Sequence, residues 1–335
     1  MTIRGQIVNM MCRLAVHSPL GGPAETLLRR AGRRNPASRT VQSFARHFGT
    51  SVMSREGAAF ERIVTFDSGG RMRCGPEGQV GLAALQHYFL GTITGQMEDE
   101  RPIVKFLDRA VRAGDTFLDV GSNLGFYSLY VGPLCGKTGQ VHAFEPNPSL
   151  IPPLKKSIAL NADLSNIRLN EVAVGSESNK VLPLFDPERI GNSSFHAHGW
   201  LDKSSFVSVP VIALDDYARN AGISSIEGMK IDIEGAELEA FQGMTDIFER
   251  CPPRFVVCEL MPDAVSSRAE SAARPTQIIE FMAGKRYLAC RLDADGTLLL
   301  PPVSGEAVEG APHVVNVIFA HAELQRQRPD LFRTT

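Results

Sequence analysis

No stretch of this chain is apolar for long enough to cross a bilayer, so no transmembrane segment is expected. Its six cysteines, Cys12, Cys74, Cys135, Cys251, Cys258 and Cys290, form no CxxC pair and no Cys/His group with metal spacing. That pattern argues against a disulfide scaffold or a zinc site and makes a reducing cytoplasm the expected setting. Internal repeats and low-complexity tracts are also missing. With a net charge of −2 the chain lacks the basic stripe that neutralises phosphates, which argues against nucleic acid as a partner. What is present is a composition of 43% hydrophobic and 21% charged residues over 335 positions. This is ordinary for a globular protein, and the length suits one sizeable α/β domain plus an extension, or two small domains. Nothing in the pattern sets the oligomeric state.

The charge is unevenly spread. Residues 1–55 carry nine arginines, no lysine and Glu25 as their single acid, with Arg29, Arg30, Arg33 and Arg34 clustered. The composition fits a solvated helical extension, an organellar transit peptide or an anion-facing arm. A secretory signal is not indicated, because residues 7–16 are interrupted by Asn9, Cys12 and Arg13 and no clear cleavage site comes after them.

The most informative stretch is TFLDVGSNLG, residues 116–125. It reads as a buried strand ending in a turn where Asp119, Gly121, Asn123 and Gly125 alternate with other residues before a helix near Phe126. Glycines there remove the side chains that would hold a ligand away from backbone N–H groups and a helix N-terminus. The dinucleotide fingerprint requires a second glycine where Asn123 stands, and Asp119 would repel a phosphate while accepting the amino group of a methionine moiety. One strand further on, in VHAFEPNP, Glu145 ends a second apolar strand where an acid grips ribose hydroxyls, with Asn147 beside it. An Asp and two glycines alone would describe an ordinary tight turn. The second acid turns the reading toward S-adenosylmethionine as cofactor, with Asp119, Gly121, Asn123, Gly125, Glu145 and Asn147 as its candidate contacts.

The run DVGSNLGFYSL, then AFEPNP, LNEVAVG and MKIDIEGAELEAFQGM, resembles in order and spacing the FkbM family of S-adenosylmethionine-dependent methyltransferases. The resemblance covers roughly residues 102–260, weakens in the tail, and rests most on its last block. Ser122 stands where the family commonly has Ala, a small-for-small change. The resemblance implies methyl transfer, typically to a hydroxyl of a sugar or polyketide-like product. It also implies that the polar segment 186–204, with Asn192, Ser193, Ser194, His196, His198 and Trp200, is the insertion preceding the fourth core strand.

In chain order, helices are expected over 24–33 and 41–48, then a hairpin of residues 63–66 and 71–74 around Ser68-Gly69-Gly70. Residues 86–89, Gln-His-Tyr-Phe, fit an acceptor-pocket wall or a core helix. A helix over 100–112 carries Ile103, Phe106, Leu107, Ala110 and Val111 at helical spacing. Strands come next at 116–120, 141–144 and 167–174; in S-adenosylmethionine enzymes the loop ending the third lies beside the adenine, which makes Glu171, Val172 and Ala173 candidates for contacts to its edge, for which backbone would suffice. Strands at 180–185 and 205–212 flank the insertion. Beyond them are expected a fourth core strand at 229–233, a helix from Gly235 through Arg250, a fifth strand at 255–259, a helix at 276–282, a sixth strand at 287–292 and a hairpin partner at 298–300. A final antiparallel strand runs over 314–320. The expected fold is thus the class I methyltransferase Rossmann-like, doubly wound α/β sheet, six parallel strands plus one antiparallel, with a β insertion before strand four and an N-terminal extension. The expected division is an Arg-rich extension 1–55, a hairpin and helical segment 56–100, a methyltransferase domain 101–322 and a tail 323–335.

Methyl transfer from a sulfonium discharges a positive charge, so alignment and removal of the acceptor's proton are the main demands on the protein. Asp232 and Glu234 end the fourth strand and Glu259 the fifth. Asp232 is the first choice for acceptor chemistry, Glu234 the second, and His196 or His198 of the insertion the third. The same carboxylates offer a divalent cation site, which is not expected because Lys230 would neutralise them. Glu234 before Gly235 also fits a helix N-terminal acid, and Lys230 with Asp232 a structural pair. A small-molecule or glycan acceptor is expected. The competing readings are a nicotinamide-dependent oxidoreductase and a noncatalytic binding or scaffold protein of the same fold.

Overall fold

A computed structural model describes residues 62–74, 100–163, 166–185, 187, 205–261, 274–311 and 314–334. The helices expected at 24–33 and 41–48, residues 86–89, and the insertion apart from Pro187, with His196 and His198, lie outside the described residues. The chain divides into two compact units, Met1–Thr65 with Met72–Arg101, and Phe66–Arg71 with Pro102–Thr335. Strands β1 (Arg62–Thr65) and β2 (Arg71–Cys74) make the expected two-stranded sheet.

The second unit begins its regular structure with α1 (Arg101–Ala110), β3 (Thr116–Val120), α2 (Phe126–Cys135), β4 (Gln140–Phe144), α3 (Ile151–Ala159) and β5 (Ile167–Asn170). After these come β6 (Ala173–Val174), β7 (Lys180–Phe185), β8 (Phe206–Ile212), α4 (Leu214–Ala221) and β9 (Gly228–Ile231). The remainder is α5 (Glu237–Gln242), α6 (Thr245–Arg250), β10 (Phe255–Leu260), α7 (Arg274–Gly284), β11 (Tyr287–Leu292), β12 (Leu298–Leu300), α8 (Gly305–Glu309), β13 (Val315–His321), α9 (Ala322–Gln327) and β14 (Phe332–Thr334).

Among the described residues, one sheet holds nine strands in the order β14-β12-β11-β13-β10-β9-β3-β4-β5. The five from β10 to β5 pair in parallel. Strand β13 is inserted antiparallel to both β10 and β11, so β11 runs with the parallel five. Strands β12 and β14 extend the edge beyond the seven expected, and β14 comes from the segment read as a tail.

A sheet covered on both faces demands apolar residues at every position, with neighbours along a strand serving opposite layers. Phe117, Phe255, Val257, Ile318 and Ala320 pack with Ile103, Phe106, Leu107 and Ala110 of α1. Their neighbours Leu118, Val256, Cys258, Val317 and Phe319 pack on the other side with Leu214, Phe241, Ile247 and Met282 from α4 to α7. Each such large side chain, removed from water, contributes about 1.5–3 kcal/mol.

Two local expectations give way. The strand expected over 167–174 breaks after Asn170, and β6 leaves to pair in parallel with β8, Ala173 opposite Val211. With β7 and β8 it forms a separate three-stranded sheet, the β insertion before the fourth parallel strand. The single helix expected from Gly235 to Arg250 is two short ones. Gly243 sits so close to residue 175 that a Cβ on it would lie 2.3 Å from the Gly175 carbonyl oxygen. Beyond it, the Asp215 carboxylate accepts from the N–H groups of Asp246 and Ile247 and so starts α6 afresh.

Candidate active site

In the sheet order, strands to one side of β3 continue in sequence as β4 and β5, while β9 and β10 continue on the other side. The winding therefore reverses between β3 and β9, and ligands of open α/β sheets lie beyond the carboxyl ends of strands at such a point. Val120 is in register with both Phe144 and Ile231. Gly121, Glu145 and Asp232, the residues next in sequence, thus leave the sheet together.

The turn after β3 is held by its neighbours. Gly121 and Ser122 donate backbone N–H bonds to the Phe144 carbonyl at 3.0 and 2.9 Å. Gly121, Asn123 and Gly125 have φ of 81°, 52° and 86°, the left-handed region that favours glycine and tolerates asparagine. Helix α2 has no capping side chain of its own at Gly125. Asp119 fills the place from within β3, its Oδ2 accepting from the Ser128 N–H at 2.8 Å and the Ser128 hydroxyl at 2.5 Å. Glu145 accepts from the N–H of Asn123 at 2.7 Å through one oxygen and of Asn147 at 2.8 Å through the other. Asn147 in turn accepts from the Ser149 N–H ahead of α3 and donates to the Pro187 carbonyl.

Burial is the leading influence on both acids. It pushes the Asp119 carboxyl up to about 6, against the opposing pull of Ser128 and Lys230. It pushes Glu145 up to about 7, against the N–H groups of Asn147 and Asn123, with Asp119 adding to the rise. Among the described residues, Asp119 Oδ1, Ser122 Oγ and Asn123 Oδ1 are buried and find no hydrogen-bond partner. Orphaned buried acceptors concentrated on one turn are a cost that a ligand donor would remove.

The second group lies at the end of β9. Asp232 continues the ladder by donating its N–H to the Val120 carbonyl at 3.0 Å. Lys230, buried to 2% exposure, stands opposite Asp119 in register. Its Nζ lies 3.0 Å from Asp232 Oδ2 and 5.2 Å from the centre of the Tyr127 ring. Glu234 has φ of 54°, an unusual conformation for a residue with a side chain. Burial, then Asp232, Glu259 and Glu237, hold its carboxyl well above the usual carboxylate range, with Lys230 opposing. The helix N-terminal acid here is Glu237 rather than Glu234. Glu237 is the first residue of α5, and its Oε1 accepts from the N–H groups of Ile233 and Gly235 at 3.1 Å each.

The structure thus brings Asp119, Gly121, Asn123, Gly125, Glu145 and Asn147 together around one turn, with Asp232 and Glu234 next to it. The Ala173 side chain is buried with Leu184, Val209 and Val211 of the small sheet. His196 lies outside the described residues. Among the described residues, no group of three or more His, Cys, Asp or Glu side chains is arranged to hold a metal ion. Sequence reasoning passed over Ser128, Tyr127 and Glu237. A serine in the first turn after a glycine-rich loop and an acid two residues after a strand-end glycine were the available signals.

Residues 119–288 match the family described as the methyltransferase FkbM domain. The chain is 24% identical over 200 residues to a hexuronic acid methyltransferase, AglP, of Haloferax volcanii, covering 57% of this chain and 78% of that protein. It is 26% identical over 163 residues to the 31-O-demethyl-FK506 methyltransferase FkbM of Streptomyces tacrolimicus, covering 41% of this chain and 62% of that one. Against a solved structure of Aeropyrum pernix fibrillarin with S-adenosyl-L-methionine bound, identity is 11% and the TM-score 0.38, over 78% of this chain and 84% of that one. The family match covers 170 of the 335 residues, just over half of the chain, and this protein belongs to the FkbM family of methyltransferases.

Proposed function

We propose that the protein transfers a methyl group from S-adenosylmethionine to a hydroxyl of a sugar or polyketide-like small molecule. The observation that carries this reading is the pair of buried acids on adjacent strand ends, Asp119 and Glu145, joined by a turn whose inward polar atoms lack partners. These residues fit the cofactor's donors. Asp119 Oδ1 is suited to an ammonium of the methionine moiety. Each Glu145 oxygen accepts one N–H and retains capacity for a ribose hydroxyl. Gly121 keeps the turn free of a side chain, and Asn123 and Asn147 hold Glu145 in place through their backbones.

The bound cofactor supplies an electrophilic methyl carbon on a sulfonium. The protein's part is to align the acceptor oxygen and receive its proton. Asp232 is the base in this reading: its side chain is about one-third exposed and fixed by Lys230. With the cofactor held by Asp119 and Glu145, the Asp232 carboxylate would receive the proton of the acceptor hydroxyl. Glu234 and His196 are the alternative groups for the same step. The names of two relatives, one specifying a 31-O position and one a hexuronic acid, favour an oxygen acceptor.

The test is isothermal titration with S-adenosylmethionine, S-adenosylhomocysteine and NAD, with and without magnesium, on the wild type and on Glu145→Ala. Micromolar binding of the first two, lost in the variant, is expected, together with methyl transfer to members of a panel of saccharides and polyketide alcohols. Binding of NAD alone, or of none of the three, would overturn the reading.

A further inference from the structure

The turn after β3 spends its backbone donors on the protein itself. The N–H groups of Gly121 and Ser122 go to the Phe144 carbonyl, that of Asn123 to the Glu145 carboxylate and that of Gly125 to the Ser122 carbonyl. An anionic group arriving at the turn finds none of these donors unengaged. The side chains of the same turn are in the opposite condition, since Asp119 Oδ1, Ser122 Oγ and Asn123 Oδ1 are buried without a hydrogen-bond partner. An ionised carboxylate oxygen and an amide carbonyl only accept, whereas a hydroxyl also donates. Ser122 is 4% exposed, and a hydroxyl buried with nothing to bond is a cost. It stands where the FkbM family commonly has alanine, which would fill the place without that cost.

Resting on the S-adenosylmethionine-dependent function proposed above, we infer that the Ser122 hydroxyl is a further cofactor contact, one that donates to the α-carboxylate of the methionine moiety. Asp119 Oδ1 and Asn123 Oδ1 are the acceptors left for the ammonium of the same moiety. A ligand end that carries both charges needs both kinds of partner, and the turn's orphaned atoms supply both. A carboxylate brought toward the acid Asp119 meets like charge, so a donor facing it has most to contribute there. The hydroxyl also makes the turn selective. A ligand without the carboxylate leaves Ser122 buried and unpaired, and a site built around a hydrogen bond rejects the analogue that lacks it.

The experiment is isothermal titration of the full chain with S-adenosylhomocysteine, with its decarboxylated analogue, which keeps the amine, and with methylthioadenosine, which lacks the whole amino-acid end. Ser122→Ala should weaken S-adenosylhomocysteine by about ten- to a hundredfold and leave the other two ligands unchanged. Glu145→Ala should weaken all three, because each carries the ribose. Thermal melts of the ligand-free proteins supply the folding control: Ser122→Ala should melt at or above the wild type, having lost an unpaired hydroxyl. A lower melting temperature would show that the hydroxyl has a partner inside the protein and would overturn the assignment. Equal weakening of all three ligands, equal weakening of both amine-bearing ligands, or weakening of none would overturn it as well. Failure of the wild type to bind S-adenosylhomocysteine would instead overturn the methyltransferase reading on which the assignment rests.

Discussion

A Cβ on Gly121 would lie 1.9 Å from the carbonyl oxygen of Asp232. The turn after β3 and the strand end that carries the candidate base are therefore in direct backbone contact, at a residue whose φ of 81° already disfavours a side chain. Gly121→Ala combines left-handed strain of about 1–2 kcal/mol with overpacking of about 1–3 kcal/mol. Chemical denaturation should show a loss of about 2–5 kcal/mol, and calorimetry a drop in S-adenosylhomocysteine affinity. An unchanged midpoint would mean the two segments do not meet in this way.

Ser128 holds Asp119 through its N–H and its hydroxyl. Ser128→Ala keeps the first and deletes the second, a bond to a charged acceptor worth about 1.5–3 kcal/mol. Stability should fall by that order, and cofactor affinity with it, since Asp119 Oδ2 would then keep only the backbone donor. Ser128→Thr, which retains the hydroxyl, should recover part of both in the same titrations.

Glu145 sits near 7 in the folded protein against an ordinary 4.5, and Asp119 near 6 against 3.8. Between each pair of values the folded state binds more protons than the unfolded one. The stability from these raised values is present below about pH 4 and is lost as pH rises through 6 and 7. Glu145→Gln, which cannot ionise, should flatten this part of the pH dependence of the ligand-free protein's melting temperature. Thermal melts across roughly pH 5–8 that leave the two proteins parallel would refute it. In the wild type, ribose donors favour the ionised carboxylate, so S-adenosylhomocysteine affinity should fall as pH drops below about 7, with proton release on binding detectable by calorimetry in two buffers.

Asp215 offers a contrast away from the site. Its carboxylate accepts from Asp246 N–H, Ile247 N–H and the Thr245 hydroxyl at the start of α6. Asp215→Ala removes the cap and should cost about 0.5–2 kcal/mol while leaving cofactor affinity unchanged. A change in affinity equal to that at Ser128 would show that the site is less insulated from α6 than its hydrogen bonds imply.

Most of the strands, and the turn after β3, were legible because their signals are local. Alternate burial along β3, β10 and β13 requires apolar residues at every position, and left-handed backbone at Gly121 and Gly125 requires glycine. Those requirements are met by residues adjacent in the chain. Local pattern was therefore enough to specify the doubly wound sheet, the turn after β3 and the positions of the candidate acids Asp119, Glu145, Asp232 and Glu234 at strand ends.

The surroundings of each residue came from long-range packing. Ala173 left the main sheet because β8, more than 30 residues on, offered it a partner. The run from Gly235 to Arg250 broke because Gly243 meets Gly175 and Asp215 caps α6 beyond it. Ser128 became the partner of Asp119, and Glu237 rather than Glu234 took the helix end. Lys230 came to rest between Asp232 and the ring of Tyr127, a residue about 100 positions away. Charge, hydrogen bonding and burial at these positions depend on neighbours that the fold supplies across long sequence separations, and local pattern contains no record of them.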